Sequence, residues 1–167
     1  MIQSAPMKYS KSLLLYQEEP AYGLPLKIIL PIVPVILLGS AIYLQITGEE
    51  AGAIVLTGES LLVAFIFWMV FPRKYRVYED HLSVALGGPL SVNIGFDRIV
   101  SIEVTSRTAF TTNFVTRAAR TYVLITRRRG ISIAITPKSY DSFVQNANLA
   151  LSEWRRTRSS SQGGRNT

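Results

Sequence analysis

Two stretches decide how this chain is read: LPLKIILPIVPVILLGSAIYLQI, Leu24 to Ile46, and GAIVLTGESLLVAFIFWMVF, Gly52 to Phe71. Each is long enough to cross a bilayer, which takes roughly 20 mainly apolar residues in a helix. Five residues, Thr47-Gly48-Glu49-Glu50-Ala51, join them, leaving room only for an antiparallel helical hairpin. The expected class is a small membrane protein with one soluble domain on one side.

Charge is distributed to match. Between residues 20 and 72 the charged side chains are Lys27, Glu49, Glu50 and Glu59 alone. From Arg73 onward there are 15 Lys/Arg and 6 Asp/Glu, or +9, and the preceding part supplies −2. The net +7 therefore belongs to the C-terminal part. Lys8, Lys11 and Lys27 precede or open the first span, Arg73, Lys74 and Arg76 follow the second, and the connecting loop has no cation. The positive-inside rule then puts both termini in the cytoplasm and the hairpin tip outside a multi-pass plasma-membrane protein. The first run does not read as a secretory signal. More than 20 residues precede it, including Glu18 and Glu19, whereas signal n-regions are short and positive.

Within the spans, Pro31 and Pro34 remove backbone donors and bend the first helix. Gly39, Ser40 and Ala41 on one span and Gly58, Ser60 and Ala64 on the other suit close helix approach. Tyr43 and Trp68 suit the membrane–water boundary. Glu59 is the one carboxylate inside a span, and such residues are functional candidates by default. Without a second ionisable partner it makes a poor transport pathway, and its simpler reading is a place within about two helical turns of the outer surface or a hydrogen bond within the hairpin.

After Pro72 the apolar period becomes two. Tyr75 and Val77, Leu82 to Leu86, Leu90 to Phe96, Val100 to Val104, Tyr122 to Thr126 and Ile131 to Ile135 read as half-buried antiparallel strands. Glu79-Asp80-His81, Gly87-Gly88-Pro89 and Arg128-Arg129-Gly130 punctuate them as turns. The segment Arg107 to Ala119 reads as a loop or a short seventh strand around Phe110, Phe114 and Val115, a set expected inside the core. Tyr140, Phe143, Val144, Ala147, Leu151 and Trp154 follow a helical repeat, with Thr136 expected as N-cap and Pro137 as the first helical residue. The tail from Arg158 lacks apolar residues and is expected to be disordered. Four segments result: 1–23 cytoplasmic, 24–72 the two-span hairpin, 73–156 the soluble domain and 157–167 the tail.

Six or seven short antiparallel strands and one C-terminal amphipathic helix resemble the layout of prokaryotic pleckstrin-homology (PH)-like domains on membrane hairpins. Tyr75-Arg76-Val77-Tyr78-Glu79-Asp80-His81-Leu82 is similar to an opening hairpin. Phe96-Asp97-Arg98-Ile99-Val100-Ser101-Ile102-Glu103 resembles a family strand, and Ile133-Ala134-Ile135-Thr136-Pro137-Lys138 the last strand and capped helix. Tyr16-Gln17-Glu18-Glu19 is similar to an acidic segment that precedes such hairpins. The fold this implies is α+β: a transmembrane helical hairpin, then a small antiparallel PH-like β-barrel capped by the helix. The resemblance implies a binding module rather than an enzyme.

The chemistry legible in the residues agrees. There is no cysteine, which excludes disulfides, thiol nucleophiles and cysteine metal sites. The one histidine, His81, sits in an expected turn and reads as solvated. Asp97 and Glu103 read as surface polar positions. No phosphate loop or metal-ligand spacing is present, so neither cofactor nor metal is expected. The basic clusters are the signal: Arg73, Lys74 and Arg76 beside the second span, Arg127, Arg128 and Arg129 on a turn, and Arg117 with Arg120 flanking the ambiguous segment. Arg155, Arg156 and Arg158 end the helix. Anionic headgroups attract such residues by about 1 kcal/mol each near the surface. The expected function is a non-catalytic membrane-anchored adaptor for protein partners or anionic lipid headgroups. A small accessory subunit of a larger membrane complex is the alternative, and no nucleic-acid partner is expected.

Overall fold

In a computed structural model, residues 12–106, 111–114 and 121–163 are described. Lys8, Lys11, Arg107, Phe110, Val115, Arg117, Ala119 and Arg120 lie outside them. The element order is β1 (Leu14–Glu18), α1 (Leu24–Thr47), α2 (Glu50–Val70), β2 (Lys74–Tyr78), β3 (His81–Ala85), β4 (Ser91–Gly95), β5 (Ile99–Thr105), β6 (Thr111–Phe114), β7 (Tyr122–Arg127), β8 (Ser132–Ile135) and α3 (Tyr140–Gly163).

The two apolar runs form α1 and α2, both long and apolar enough to cross a membrane. Gly48 ends α1 in the left-handed conformation (φ 87°), the backbone state that glycine adopts without steric cost. At the other end of the hairpin Phe71 is extended (ψ 134°), because the ring of Pro72 disfavours a helical residue before it. The helices pack through small residues: Ala41, Ala53 and Ser60 are buried, and Ser60 Oγ donates to the Pro34 carbonyl at 2.8 Å. Gly39 and Gly58, expected at this contact, face outward, with nothing within 4 Å of where a Cβ would stand.

β1 pairs antiparallel with β2, placing Glu18 beside Tyr75 and Gln17 beside Arg76. The helical hairpin is therefore an insertion in the turn of a β-hairpin, and both of its ends are held by one ladder. Nothing in the alternation pattern marks β1 as a strand. The first sheet runs β1-β2-β3-β4 and the second β5-β7-β8-β6, with β6 parallel to β8 and the other pairings antiparallel. The two sheets touch where residues 19–21 meet 136–138. Ala21 N–H donates to the Thr136 carbonyl at 2.7 Å and Lys138 N–H to the Glu19 carbonyl at 3.0 Å. No ladder joins β4 to a strand of the second sheet among the described residues, so these strands do not close the expected barrel.

Tyr75, Val77, Leu82, Val84, Ile94, Phe96, Val123, Ile125, Ile133 and Ile135 point into one core, as their alternation predicts. In β5 the inward residues are Ile99 and Ile102, while Val100 and Val104 are exposed. A register shift between Ile99 and Ser101 moves the face by one residue there. Phe143, Ala147 and Leu151 of α3 complete the core, with Phe143 edge-on to Tyr75 at 6.2 Å.

α3 begins at Tyr140, with the Phe143 N–H bonded to the Ser139 carbonyl at 3.0 Å. Thr136 and Pro137 are not its cap, because the pairing with residues 19–21 holds them extended. The helix also continues to Gly163, through most of the segment expected to be disordered. Hydroxyls of Thr157, Ser159 and Ser160 bond carbonyls of its own preceding turn, and extending an existing helix fixes one residue per bond gained.

Candidate functional site

All strands run roughly between the end of the domain that meets the hairpin and the end remote from it. The near end carries Lys74, the Gly87-Gly88-Pro89 turn and Lys138. The far end carries Glu79 and Asp80, Phe96 to Arg98 and the turn 128–130. This polarity sorts the basic residues into two groups.

At the near end, a cleft of about 750 Å³ opens between the hairpin base and the domain. Its charged lining is Lys27 from α1, Arg73 and Lys74 at the start of β2, and Lys138 and Glu19 from the junction of the sheets. Tyr22, Leu30, Pro31, Phe67, Trp68 and Phe71 supply the aromatic and apolar wall. Four cations face one carboxylate, a formal +3.

Local structure explains each position. Pro31 has no N–H for the Lys27 carbonyl, so the helical ladder lacks one bond at the base of α1, beside the cleft. The Tyr22 hydroxyl donates to the Pro72 carbonyl, tying the chain before α1 to the chain after α2, and burial pushes the Tyr22 phenol up. Arg73 N–H bonds the Ala85 carbonyl at 2.7 Å, and its guanidinium lies 5.5 Å from the centre of the Trp68 ring. Lys138 Nζ meets Glu19 Oε2 at 2.5 Å. That hydrogen bond and the lysine charge hold Glu19 below the usual carboxylate value and raise Lys138. Lys27, Arg73 and Lys74 have no ion pair among the described residues.

Of the residues expected to contact headgroups or a partner, Arg73 and Lys74 thus meet in the cleft. Arg76 stands two residues further along the outer face of β2, its Nε donating to Gln17 Oε1 at 3.2 Å. Arg127, Arg128 and Arg129 are not with them. They lie at the opposite end of β8 from Lys138, about 20 Å away at the usual strand rise. The Arg127 guanidinium folds over Gly130, and Arg128 lines a shallow basic depression with Arg155, Arg158 and Asp97. Lys138 and Glu19 were not singled out by sequence reasoning. They stand 119 residues apart, and no local pattern pairs them.

Glu59 lies about 14 Å along α2 from Glu50, near the helix midpoint, and is exposed beside the buried Ser60.

His81, expected to be solvated, is buried at the start of β3. Its ring stacks on Tyr78 at 4.4 Å and its Nδ1 lies 2.6 Å from Asp80 Oδ1. Burial opposes ionisation of Asp80, but hydrogen bonds from His81 and Ser12 outweigh it and hold this carboxyl low. The carboxylate stands between hydroxyl and imidazole, whereas a nucleophilic triad needs the imidazole in the middle. Among the described residues no group of His, Asp and Glu side chains is arranged to hold a metal ion. No family model, no curated protein and no solved structure matches this chain.

Proposed function

We propose that this chain is a non-catalytic adaptor of PH-like design, anchored by its helical hairpin and displayed at the inner face of the plasma membrane. The observation that carries the reading is the insertion of two span-length helices between the paired strands β1 and β2. A domain tied at both ends of its anchor sits at a fixed height and orientation, which raises its effective concentration for neighbouring membrane components. Lys27, Arg73 and Lys74 at the domain end, with no Lys or Arg in the connecting residues 47–51, support a cytoplasmic domain under the positive-inside rule. On this reading the far-end arginines 127–129 face protein partners, and the near-end cations face anionic lipid. The two sheets with α3 packed across them support the PH-like assignment. Carbonate washing of membranes and protease treatment of intact cells test the anchor. The chain is expected to resist both, and its extraction by carbonate, or removal of residues 73–163 from outside, overturns the reading.

Exposed Glu59 favours a second reading, an accessory subunit whose α2 docks on another membrane protein. Solubilisation in mild detergent separates the two. A heavier stoichiometric partner that is lost in Glu59→Leu supports the subunit, and a partner-free chain supports the adaptor.

A further inference from the structure

We infer that the cleft at the base of the hairpin is a binding site for the phosphate-bearing headgroup of one anionic phospholipid. The inference rests on the membrane-anchored reading above and gives one of its surfaces a ligand. The cleft is built from both halves of the molecule, Lys27 on α1 and Arg73, Lys74 and Lys138 on the domain. Glu19 pairs with Lys138 and also feels the charge of Lys74, so the cleft keeps a formal +3 to meet an anion, with Lys27 and Arg73 outside that pair. Both Lys27 and Arg73 are exposed at the surface where α1 and α2 leave the domain.

The other walls match the rest of a lipid. Leu30, Pro31, Phe67 and Phe71 continue from the cleft onto the apolar helices, so a headgroup seated among the cations has its acyl chains along the hairpin. Trp68, held beneath Arg73, supplies the amphipathic ring that favours the boundary between headgroups and hydrocarbon. The volume, about 750 Å³, falls in the range of small-molecule sites. The far-end depression around Arg128 and Arg155 shares the charge but adjoins neither of the apolar helices α1 and α2.

The test uses the full chain purified in detergent, with native mass spectrometry after addition of phosphatidylglycerol or phosphatidylcholine. Phosphatidylglycerol is expected to be retained in preference to phosphatidylcholine. Its occupancy is expected to fall at least about tenfold in K27Q/R73Q/K74Q and measurably in Lys27→Gln alone. Arg98→Gln at the far end serves as the control and is expected to bind as the parent does. Equal retention of the two lipids, or unchanged phosphatidylglycerol binding in both cleft variants, overturns the inference. Glycerol 1-phosphate distinguishes a soluble ligand. If it fills the site as tightly as phosphatidylglycerol, the lipid assignment falls, and if it fails to displace the lipid, the assignment stands. Carbonate extraction of the same membranes separates the two levels of the argument. A chain that stays embedded without preferring the anionic lipid loses only the cleft ligand, and a chain that is stripped loses the anchor as well.

Discussion

The carbonyl oxygen of Trp68 occupies the place where a side chain on Gly87 would begin: a Cβ built on Gly87 would stand 1.5 Å from it. The Gly87 N–H donates to the Met69 carbonyl at 3.1 Å, and Gly88, at φ +64°, lies under the Trp68 ring. The turn between β3 and β4 is thus docked directly on the last turn of α2. This contact, with the β1–β2 ladder, fixes the domain against the helical hairpin and gives the cleft a rigid wall.

Gly87→Ala is expected to push that turn off the helix end. Backbone atoms block the new methyl, so the strain has no flexible side chain to absorb it, and overpacking of this kind costs about 1–3 kcal/mol. Thermal unfolding in detergent measures it. Gly39→Ala is the matched control, since nothing lies within 4 Å of its Cβ position and alanine suits a helix better. Equal melting of Gly87→Ala and the parent would show that the turn is not docked.

Removing residues 12–21 is expected to loosen the domain while leaving the helical hairpin intact. β2 would lose one of its two ladder partners, and Phe143 would lose the Tyr16 ring, 6.4 Å away. Proteolysis of membranes carrying this deletion variant should cut within 73–163 much faster than in the parent. Deleting 159–167 instead should change little, because the Ser159 and Ser160 hydroxyls bond only their own helix. A shortened N-terminus that leaves the domain equally resistant would mean β1 is dispensable.

These two deletions mark where the sequence was legible. The two long apolar helices were plain from apolar length, and β2 and β3 from the alternation of Tyr75, Val77, Leu82 and Val84. β1 was not, because Leu13, Leu14 and Leu15 run consecutively without alternating, and its partner lies some 60 residues away beyond the hairpin. The start of α3 was misplaced for a related reason. Pro137 satisfies the local rule for a first helical residue, but a strand extension distant in sequence claims it. In the cleft, Lys27, Arg73 and Lys74 were visible as charges flanking spans. Glu19 and Lys138 become neighbours only through that same long-range pairing.

The Glu19–Lys138 pair gives a pH dependence with a defined sign. Glu19 is held below its ordinary value, so its contribution is present above the unfolded value near 4.5 and fades as pH falls through the lowered one. Lys138 is raised, so its contribution is complete below 10.5 and fades as pH rises through the raised value. Both groups are exposed, so the effect shrinks with salt. Hydrogen exchange at the Ala21 and Lys138 amides should therefore show flat opening through neutral pH and added opening under acid. Lys138→Gln should abolish the acid-side change, and an identical acid response in that variant would remove the pair from consideration.

Arg155 latches α3 to the second sheet. Its Nη2 donates to the carbonyls of Ile99 and Val100, each at 3.1 Å, while Asn148 Nδ2 donates to the Ile102 carbonyl at 3.1 Å. Bonds from a charged donor exceed neutral ones, but Arg155 is exposed, so Arg155→Met should cost only about 1 kcal/mol. The loss should be local, because Phe143 and Ala147 hold the first half of the helix in the core. Trp154, edge-on to Phe96 at 6.1 Å, reports on the second half. In a Trp68→Phe background its emission should shift to the red at lower denaturant in Arg155→Met than in the parent, with the domain's far-ultraviolet transition moving less. A coincident shift of both signals would mean that the helix end and the sheets unfold as one unit and that no separate latch exists.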